Sequence, residues 1–495
     1  MPFVKNDVIE AEVLDFGSEG EGIIKVGGVP LFIRGAIPGE SIRAKVIGIK
    51  ASHGFALLEQ VLVPSKDRVK PPCPYASKCG GCALQHIKYA RQLELKRAHV
   101  LNTVKKTAGI ELPLPAVIPS ETELHCRNKL SLPVRSRPDA VAEFSKTSAV
   151  APLAIGFFRR KSHDVIDIAD CLLQKDSCRD LISGLKAFME KHRLSGYSET
   201  DNSGDIRHIT LRSLGGVYTV TLVGTRKEAT AFLPFQEILK NIYGEKFSYY
   251  YNYNPVANNV IYGEKFAFLA GIGDPILLDG LKMRPHPAGF FQVNDPIREK
   301  MYAYILETAA KHGAEYGGNK KNRAVEAYAG AGILAAKLAP FFKNATAIEI
   351  SAESVASGEE IKKLNGIQNL KFIKGDCSEE LKKYFGGQKT LQAQAGAAKP
   401  VKKQAGQNTE ENSPSEKTAD FLVLDPPRQG LEITVTETLN ACGPKTVLYV
   451  SCNPATLGRD LGLLKENYKV QDAAAFDMFP QTPNVETLVC LERKN

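Results

Sequence analysis

In VLYVSCNPAT (447–456), four residues suited to a buried strand lead into Ser-Cys-Asn-Pro, and a helix-compatible stretch follows. Cys452 at such a strand end is either a small core residue or a nucleophile, and this stretch alone leaves both open. Further along, FDMFPQTPNVETLVCLER places Glu486 at the start of another strand-like run. A thiolate and a carboxylate on the same rim of one sheet can act as nucleophile and general base.

A second group of cysteines has a different character. CPYASKCGGC sets Cys73, Cys79 and Cys82 at C-x5-C-x2-C spacing. Three soft thiolates this close can share a metal centre, and the paired glycines let the backbone turn tightly around it. A fourth ligand is needed. Cys171 in IADCLLQ is the first candidate, with Cys178 and Cys126 behind it. Four thiolates suit zinc or an iron–sulfur cluster, and spacing does not choose between them.

A third set is acidic. VEAYAGAGILAAKLA ends a strand at Tyr328 and turns through Gly330 and Gly332 into a helix. Alone, a G-x-G turn of this kind is a weak signal. ATAIEI then puts Glu349 at the end of the next strand, where a carboxylate can accept hydrogen bonds from both hydroxyls of a ribose. KGDC places Asp376 after a third strand, and LVLDPPRQG places Asp425 after a fourth, with Pro426 and Pro427 stiffening the loop. The convergence on one crevice predicts an adenosine-containing cofactor, with Asp425 positioned against it or against a planar base.

These residues need a sheet to hold them. From 294 onward, strand-like runs alternate with helices, the pattern of a doubly wound α/β sheet: AVEAY, ATAIEI, LKFIKG, DFLVLD, KTVLYV, YKVQDAAAFD and ETLVCLER. NDPIREKMYAYILETAAKH opens this region as a helix, with Asn294 as N-cap and Pro296 in its first turn. Residues 386–419 are rich in Gln, Lys, Ala, Ser and Pro and nearly free of large apolar side chains, which predicts a flexible insertion. Residues 125 to about 280 mix strands with turns and predict an α+β central domain. Residues 1–63 predict five short strands closing into a small barrel of the OB type, a fold that often binds oligonucleotides. The helical YARQLELKRAHVLNTVKK leaves a face for Arg91, Lys96, Arg97, Lys105 and Lys106, to be read as a solvated or phosphate-facing stripe. The domain limits expected are 1–63, 64–290 and 291–495.

The totals agree with a soluble globular protein of about two to four domains. The chain has 495 residues, is 43% hydrophobic and 24% charged, and carries a formal net charge of +9, which favours an anionic partner such as nucleic acid. No signal-like start and no long apolar run are present, so a cytoplasmic protein without membrane contact is expected. In the cytosol, ten cysteines point to metal or nucleophile chemistry rather than disulfides.

Taken together, the motifs resemble the RNA (uracil-5-)-methyltransferases, the TrmA/RlmD group, over nearly the whole chain. DPPRQG, sixteen residues, then VLYVSCNPAT is similar to one signature block, and FDMFPQTPNVE to a second. GFFQVN (289–294), RNK (127–129) and the glycine turn follow in the family's order. The resemblance implies a class I methyltransferase fold that uses S-adenosyl-L-methionine (SAM). It implies Cys452 as nucleophile toward uracil carbon 6 and Glu486 as the base that removes the carbon 5 proton. Gln292, Tyr328, Gly330, Glu349, Asp376 and Asp425 match cofactor-site positions, and Phe290 or Phe291 could stack on a flipped base. Cys73, Cys79, Cys82 and Cys171 match the branch that methylates 23S ribosomal RNA, where they hold a 4Fe-4S cluster. The N-terminal barrel resembles that branch's TRAM domain. The partner implied is 23S RNA, unassembled or partly assembled, with no obligate protein partner. The alternatives are a tRNA 5-methyluridine methyltransferase and a non-catalytic iron–sulfur RNA-binding protein. Three positions depart from the family's pattern: Asn484 replaces the His two residues before the Glu, Glu326–Gly330 replaces Asp-x-x-Cys-Gly, and Ile333 replaces a polar residue.

Overall fold

The computed structural model describes residues 2–136, 152–315, 322–385 and 419–494. The expected insertion at 386–419 lies, but for Ala419, outside the described residues.

The C-terminal half is built on an eight-stranded sheet. Its order is Leu370–Lys374, Asn344–Glu349, Arg323–Ala327, Phe421–Leu424, Thr446–Ser451, Glu486–Arg493, Tyr468–Phe476 and Val117–Ile118. The first five strands are parallel, and Glu486–Arg493 runs antiparallel to both of its neighbours. Every residue of Arg323–Ala327, Phe421–Leu424 and Thr446–Ser451 is buried, as parallel strands covered on both faces require. Val325, Leu422, Leu424, Val447 and Tyr449 pack on one side with Leu439, Leu457, Leu461, Val100 and Val104 of the helices there. Ala324, Phe421, Val423, Leu448 and Val450 pack on the other with Ile297, Met301, Ile305, Leu334 and Leu338. This is the doubly wound α/β fold that the alternating pattern predicts. Chain order reverses between Arg323–Ala327 and Phe421–Leu424, so a crevice opens at the carboxyl ends of these strands.

Two elements from earlier in the chain join this half. Val117–Ile118 extends the sheet alongside Tyr468–Phe476. The helix Tyr89–Ala108 lies on the sheet through Val100 and Val104. The charged stripe expected on this helix is broken at Lys96, which is fully buried and ion-paired with Asp477. Residue type predicts exposure for a lysine, and a partner 381 residues away overrides it.

The central sheet has seven strands, in the order Val165–Asp167, Leu153–Phe158, Lys129–Ser136, Ile206–Leu214, Val217–Gly224, Phe247–Tyr253 and Lys265–Gly271. Helices Arg179–Lys191 and Phe235–Tyr243 cover one of its faces through Leu181, Leu185, Phe188, Phe235 and Leu239. The N-terminal sheet has six strands rather than five. The extra one arises because the first run, DVIEAEVLDF, divides into Val8–Glu12 and the two-residue Asp15–Phe16. Ile24, Leu31, Ile33, Ile42 and Val46 fill the interior of this small sheet.

Candidate active site

Cys452 follows directly on the strand Thr446–Ser451, and Glu486 opens the antiparallel strand beside it. The register pairs Ser451 with Thr487, so Cys452 and Glu486 meet across the end of the same ladder. Asn453 caps the next helix, Pro454–Leu464, its side chain accepting from the Ala455 N–H at 3.1 Å. The thiol therefore stands at a helix N-terminus, where a thiolate is favoured. Burial and the neighbouring Glu486 nevertheless push the thiol up to about 11, and Arg428 pulls the other way. Glu486 is 5% exposed, and burial with the Asp425 charge raises its carboxyl to about 8. Burial alone raises Asp425 to about 7. A resting thiol beside two basic carboxylates can pass its proton to one of them as it attacks.

The loop carrying Asp425 and Arg428 is strapped to the helix behind Cys452. Asn453 Nδ2 and Thr456 Oγ1 both donate to the Arg428 carbonyl, at 3.0 and 3.3 Å. Arg459 donates to the carbonyls of Gln429 and Leu431, and Asp460 accepts from the Leu431 N–H at 2.9 Å and the Tyr449 hydroxyl at 2.6 Å. The two quoted sequence blocks thus form one rigid unit, with Cys452 and Asp425 both in it.

The glycine turn forms the other wall. Tyr328, Gly330 and Gly332 all take left-handed φ values, +63°, +55° and +64°. For a tyrosine this is uncommon, and such strain concentrates at functional turns. The two glycines serve different needs. A Cβ on Gly332 would come within 2.6 Å of the Phe372 ring, whereas a Cβ on Gly330 would meet open space. Glu349 holds the turn, accepting the Gly330 N–H at 2.9 Å and the Ser351 N–H at 2.8 Å, one on each oxygen. The carboxylate expected to be free for a ribose is thus half occupied by backbone, with lone pairs left over. Asp376 accepts from the Ser378 N–H at 2.9 Å at the start of a helix, and its hydrogen bonds hold its carboxyl below the usual range.

Between these walls lies a cavity of about 70 Å³ lined by Gln292, Tyr328, Gly330, Asp425, Glu326 and Phe290, among others. A groove of about 790 Å³ shares Phe290, Phe291 and Ala331 with it and reaches Ser351 and Glu353. Phe291 is 7% exposed and sits under the Arg212 guanidinium, while Phe290 is 70% exposed. Of the two phenylalanines, Phe290 is the one available for stacking. Residue types alone had not separated Glu326 and Arg428 from their neighbours. Glu326 is buried in the cavity wall, donated to by the Ala335 N–H, and raised to about 8 by burial and nearby acids. Its signal was an acid closing a buried strand, two residues before Tyr328.

The other cysteine group gathers elsewhere. Cys73, Cys79, Cys82 and Cys171 line one cavity of about 60 Å³, together with Arg127, Lys129 and Gln85. Cys126 and Cys178, the reserve candidates, are buried and do not line it. The Gly81 N–H donates to Cys79 Sγ at 3.4 Å, and burial raises Cys82 to about 12. Among the described residues, no three Cys, His, Asp or Glu side chains converge closely enough to hold a metal ion. The thiols stand around a space instead. No helix among the described residues is long and apolar enough to cross a membrane.

Residues 280–494 match the family described as tRNA (Uracil-5-)-methyltransferase. An uncharacterized RNA methyltransferase of Clostridium acetobutylicum is 33% identical over 503 aligned positions, covering 100% of this chain and 98% of the relative. A second, from Listeria innocua, is 32% identical over 99% of this chain and 98% of its own length. Among solved structures, the Pyrococcus abyssi tRNA (uracil-54, C5)-methyltransferase in complex with S-adenosyl-L-homocysteine superposes with a TM-score of 0.69. That similarity covers 97% of this chain and 99% of the other at 24% identity, and speaks to the fold.

Proposed function

The chain belongs to the RNA (uracil-5-)-methyltransferase family, and on that premise we propose that it transfers a methyl group from SAM to carbon 5 of a uridine in 23S ribosomal RNA. The observation that carries this reading is the meeting of Cys452 and Glu486 at one ladder end, beside a crevice walled by buried acids. Carbon 5 of uracil is a poor nucleophile. Addition of the Cys452 sulfur to carbon 6 gives carbon 5 enolate character, and the thiol proton passes to a neighbouring carboxylate. When bound, SAM would supply an electrophilic methyl group to carbon 5, its sulfur–methyl bond breaking to leave S-adenosyl-L-homocysteine. Glu486 then removes the carbon 5 proton, and the carbon–sulfur bond breaks to release the thiolate and 5-methyluridine. A raised carboxyl suits this step, because a desolvated carboxylate is a stronger base.

The crevice fits the cofactor by charge. SAM carries a sulfonium and an ammonium, and Glu326 and Asp425 are desolvated acids that a cation relieves. Glu349 and the Gly330 backbone would hold the ribose side, with Gln292, Tyr328 and Asp376 completing the wall. The cysteine cavity offers four soft donors, with the Gly81 N–H on a sulfur. We assign Cys73, Cys79, Cys82 and Cys171 to a 4Fe-4S cluster there. Methyl transfer has no net redox change, so these residues serve structure or RNA positioning rather than electron supply.

The choice of ribosomal RNA over tRNA rests on the resemblance of the N-terminal region at 1–63 and of the four cysteines in 64–290 to the ribosomal-RNA branch. Mass mapping of ribosomal RNA from a deletion strain tests the proposal. At least one 5-methyluridine of 23S RNA should be lost. Survival of all of them, with loss from tRNA instead, would transfer the activity to tRNA.

A further inference from the structure

We infer that Lys96 and Asp477 are positioning residues for the last proton transfer, their buried ion pair fixing the loop that presents Glu486 to Cys452. The inference rests on Glu486 being the base. Residues 477–485 link the strand ending at Phe476 to the strand opening at Glu486, and these two residues pair directly. Both ends of the loop are thus set by the sheet, and its middle must be held by something else. Within the loop, Thr482 donates to the Phe479 carbonyl, and Gln481 takes a left-handed φ of +65°.

The holding contacts come mainly from one face of the helix Tyr89–Ala108. Tyr89, Gln92 and Lys96 are three and four residues apart and share that face. Lys96 Nζ donates to Asp477 Oδ1 at 2.5 Å and to the Phe479 carbonyl at 3.1 Å. The Tyr89 hydroxyl donates to Asp477 Oδ2 at 2.8 Å. Gln92 and Gln481 bond reciprocally, Gln92 Nε2 to Gln481 Oε1 at 2.9 Å and the Gln481 N–H to Gln92 Oε1 at 3.2 Å. The Gln481 carbonyl also accepts the N–H groups of Ala83 and Leu84, at 2.9 and 3.0 Å.

Both side chains of the ion pair are fully buried, at 0% exposure. Burying two charges is a poor way to gain stability, since apolar residues of similar volume pack as well at no desolvation cost. What the pair offers is direction. Asp477 is clamped from two donors and Lys96 from two acceptors, so the first turn of the loop has one geometry. A carboxylate acting on a carbon-bound proton needs that, because misplacement by about 1 Å can cost roughly a hundredfold in rate.

The test uses the full chain with the double variant Lys96→Met and Asp477→Asn, which leaves no buried charge unpaired, and with Gln92→Met, which removes only neutral bonds. Thermal midpoint, SAM affinity, single-turnover methyl transfer and denaturant-resistant RNA–protein adduct are measured together. The double variant should fold and bind SAM as the parent does. Its product release should slow about ten- to a hundredfold, while the methylated covalent adduct accumulates. Gln92→Met should shift both readouts the same way by less. A merely structural pair would lower the thermal midpoint and leave release per folded molecule unchanged. Release within about twofold of the parent in both folded variants, or slow release without adduct, would overturn the inference. Adduct in Glu486→Gln but not in these variants would overturn it and spare the base. No adduct even in Glu486→Gln would remove the base reading first, and this inference with it.

Discussion

Four carboxylates stand along the carboxyl edge of the C-terminal sheet, and they form two contrasting pairs. Glu349 and Asp376 are held by nearby donors, Glu349 by two backbone N–H groups and Asp376 by the Ser378 N–H and hydroxyl, with lone pairs left over. Asp425 and Glu486 receive no side-chain hydrogen bond from protein among the described residues, and burial drives them up to about 7 and about 8. The first pair is built into the scaffold, so a ligand meets it pre-aimed. The second is left desolvated, which raises proton affinity and leaves room for a reacting atom. The contrast separates holding from chemistry without reference to any bound molecule.

The contrast can be broken from its reactive side first. Cys452→Ala should abolish methyl transfer, by about 10⁴-fold or more, the scale of losing a nucleophile, with SAM affinity kept. Glu486→Gln should cost about 10²–10⁴-fold, the usual weight of a general base, and should leave RNA covalently attached, visible as a gel shift that survives denaturant. The hydrogen-bonded pair should respond differently. Glu349→Ala removes a charge-assisted contact of about 1.5–3 kcal/mol, and so should raise the cofactor Kd by roughly ten- to a hundredfold. Turnover at saturating cofactor should persist.

Asp425 and Glu486 also carry a pH signature opposite to that of Asp376. Asp425 and Glu486 are raised above their unfolded values, so their contribution is fully present below the unfolded pKa and is lost as pH rises through about 7 to 8. Asp376 is depressed, so its contribution is present above the unfolded pKa and is lost on acidification. The thermal midpoint of the free protein should therefore decline as pH rises from 6 to 8.5, and Glu486→Gln should flatten that decline. An unchanged slope would show that Glu486 does not titrate there. The smallest effect expected is at Ser351, which caps the helix Ala352–Leu364 by accepting the Ser354 N–H at 3.2 Å. Ser351→Ala should cost about 1 kcal/mol in denaturant unfolding, with no change in turnover.

The alternation of apolar strands and helices made the C-terminal sheet legible, because parallel strands covered on both faces leave near-continuous apolar runs. Cys452 and Asp425 were visible as polar residues ending such runs, and Glu486 as one opening a run. Glu349 was visible by position, but its backbone partners were not, since Gly330 and Ser351 reach it only once the turn closes. Lys96 was misread as surface because helical periodicity sees charge and not a partner in the last part of the chain. The run DVIEAEVLDF at 7–16 reads as one strand because alternation does not mark the break at Val13 and Leu14, where the backbone changes partners. Glu326 and Arg428 gained meaning only from the groups that the fold sets beside them.

The central claim is that Cys452 adds to carbon 6 of the target uracil. It is tested most directly with ribosomal and transfer RNA carrying 5-fluorouridine, incubated with the protein and SAM and then digested. Fluorine at carbon 5 cannot leave as a proton does, so the adduct should persist. Mass spectrometry should find a methylated fluorouridine on the peptide containing Cys452. An adduct on any other cysteine, or none with either RNA while ordinary uridine is still methylated, would contradict the account.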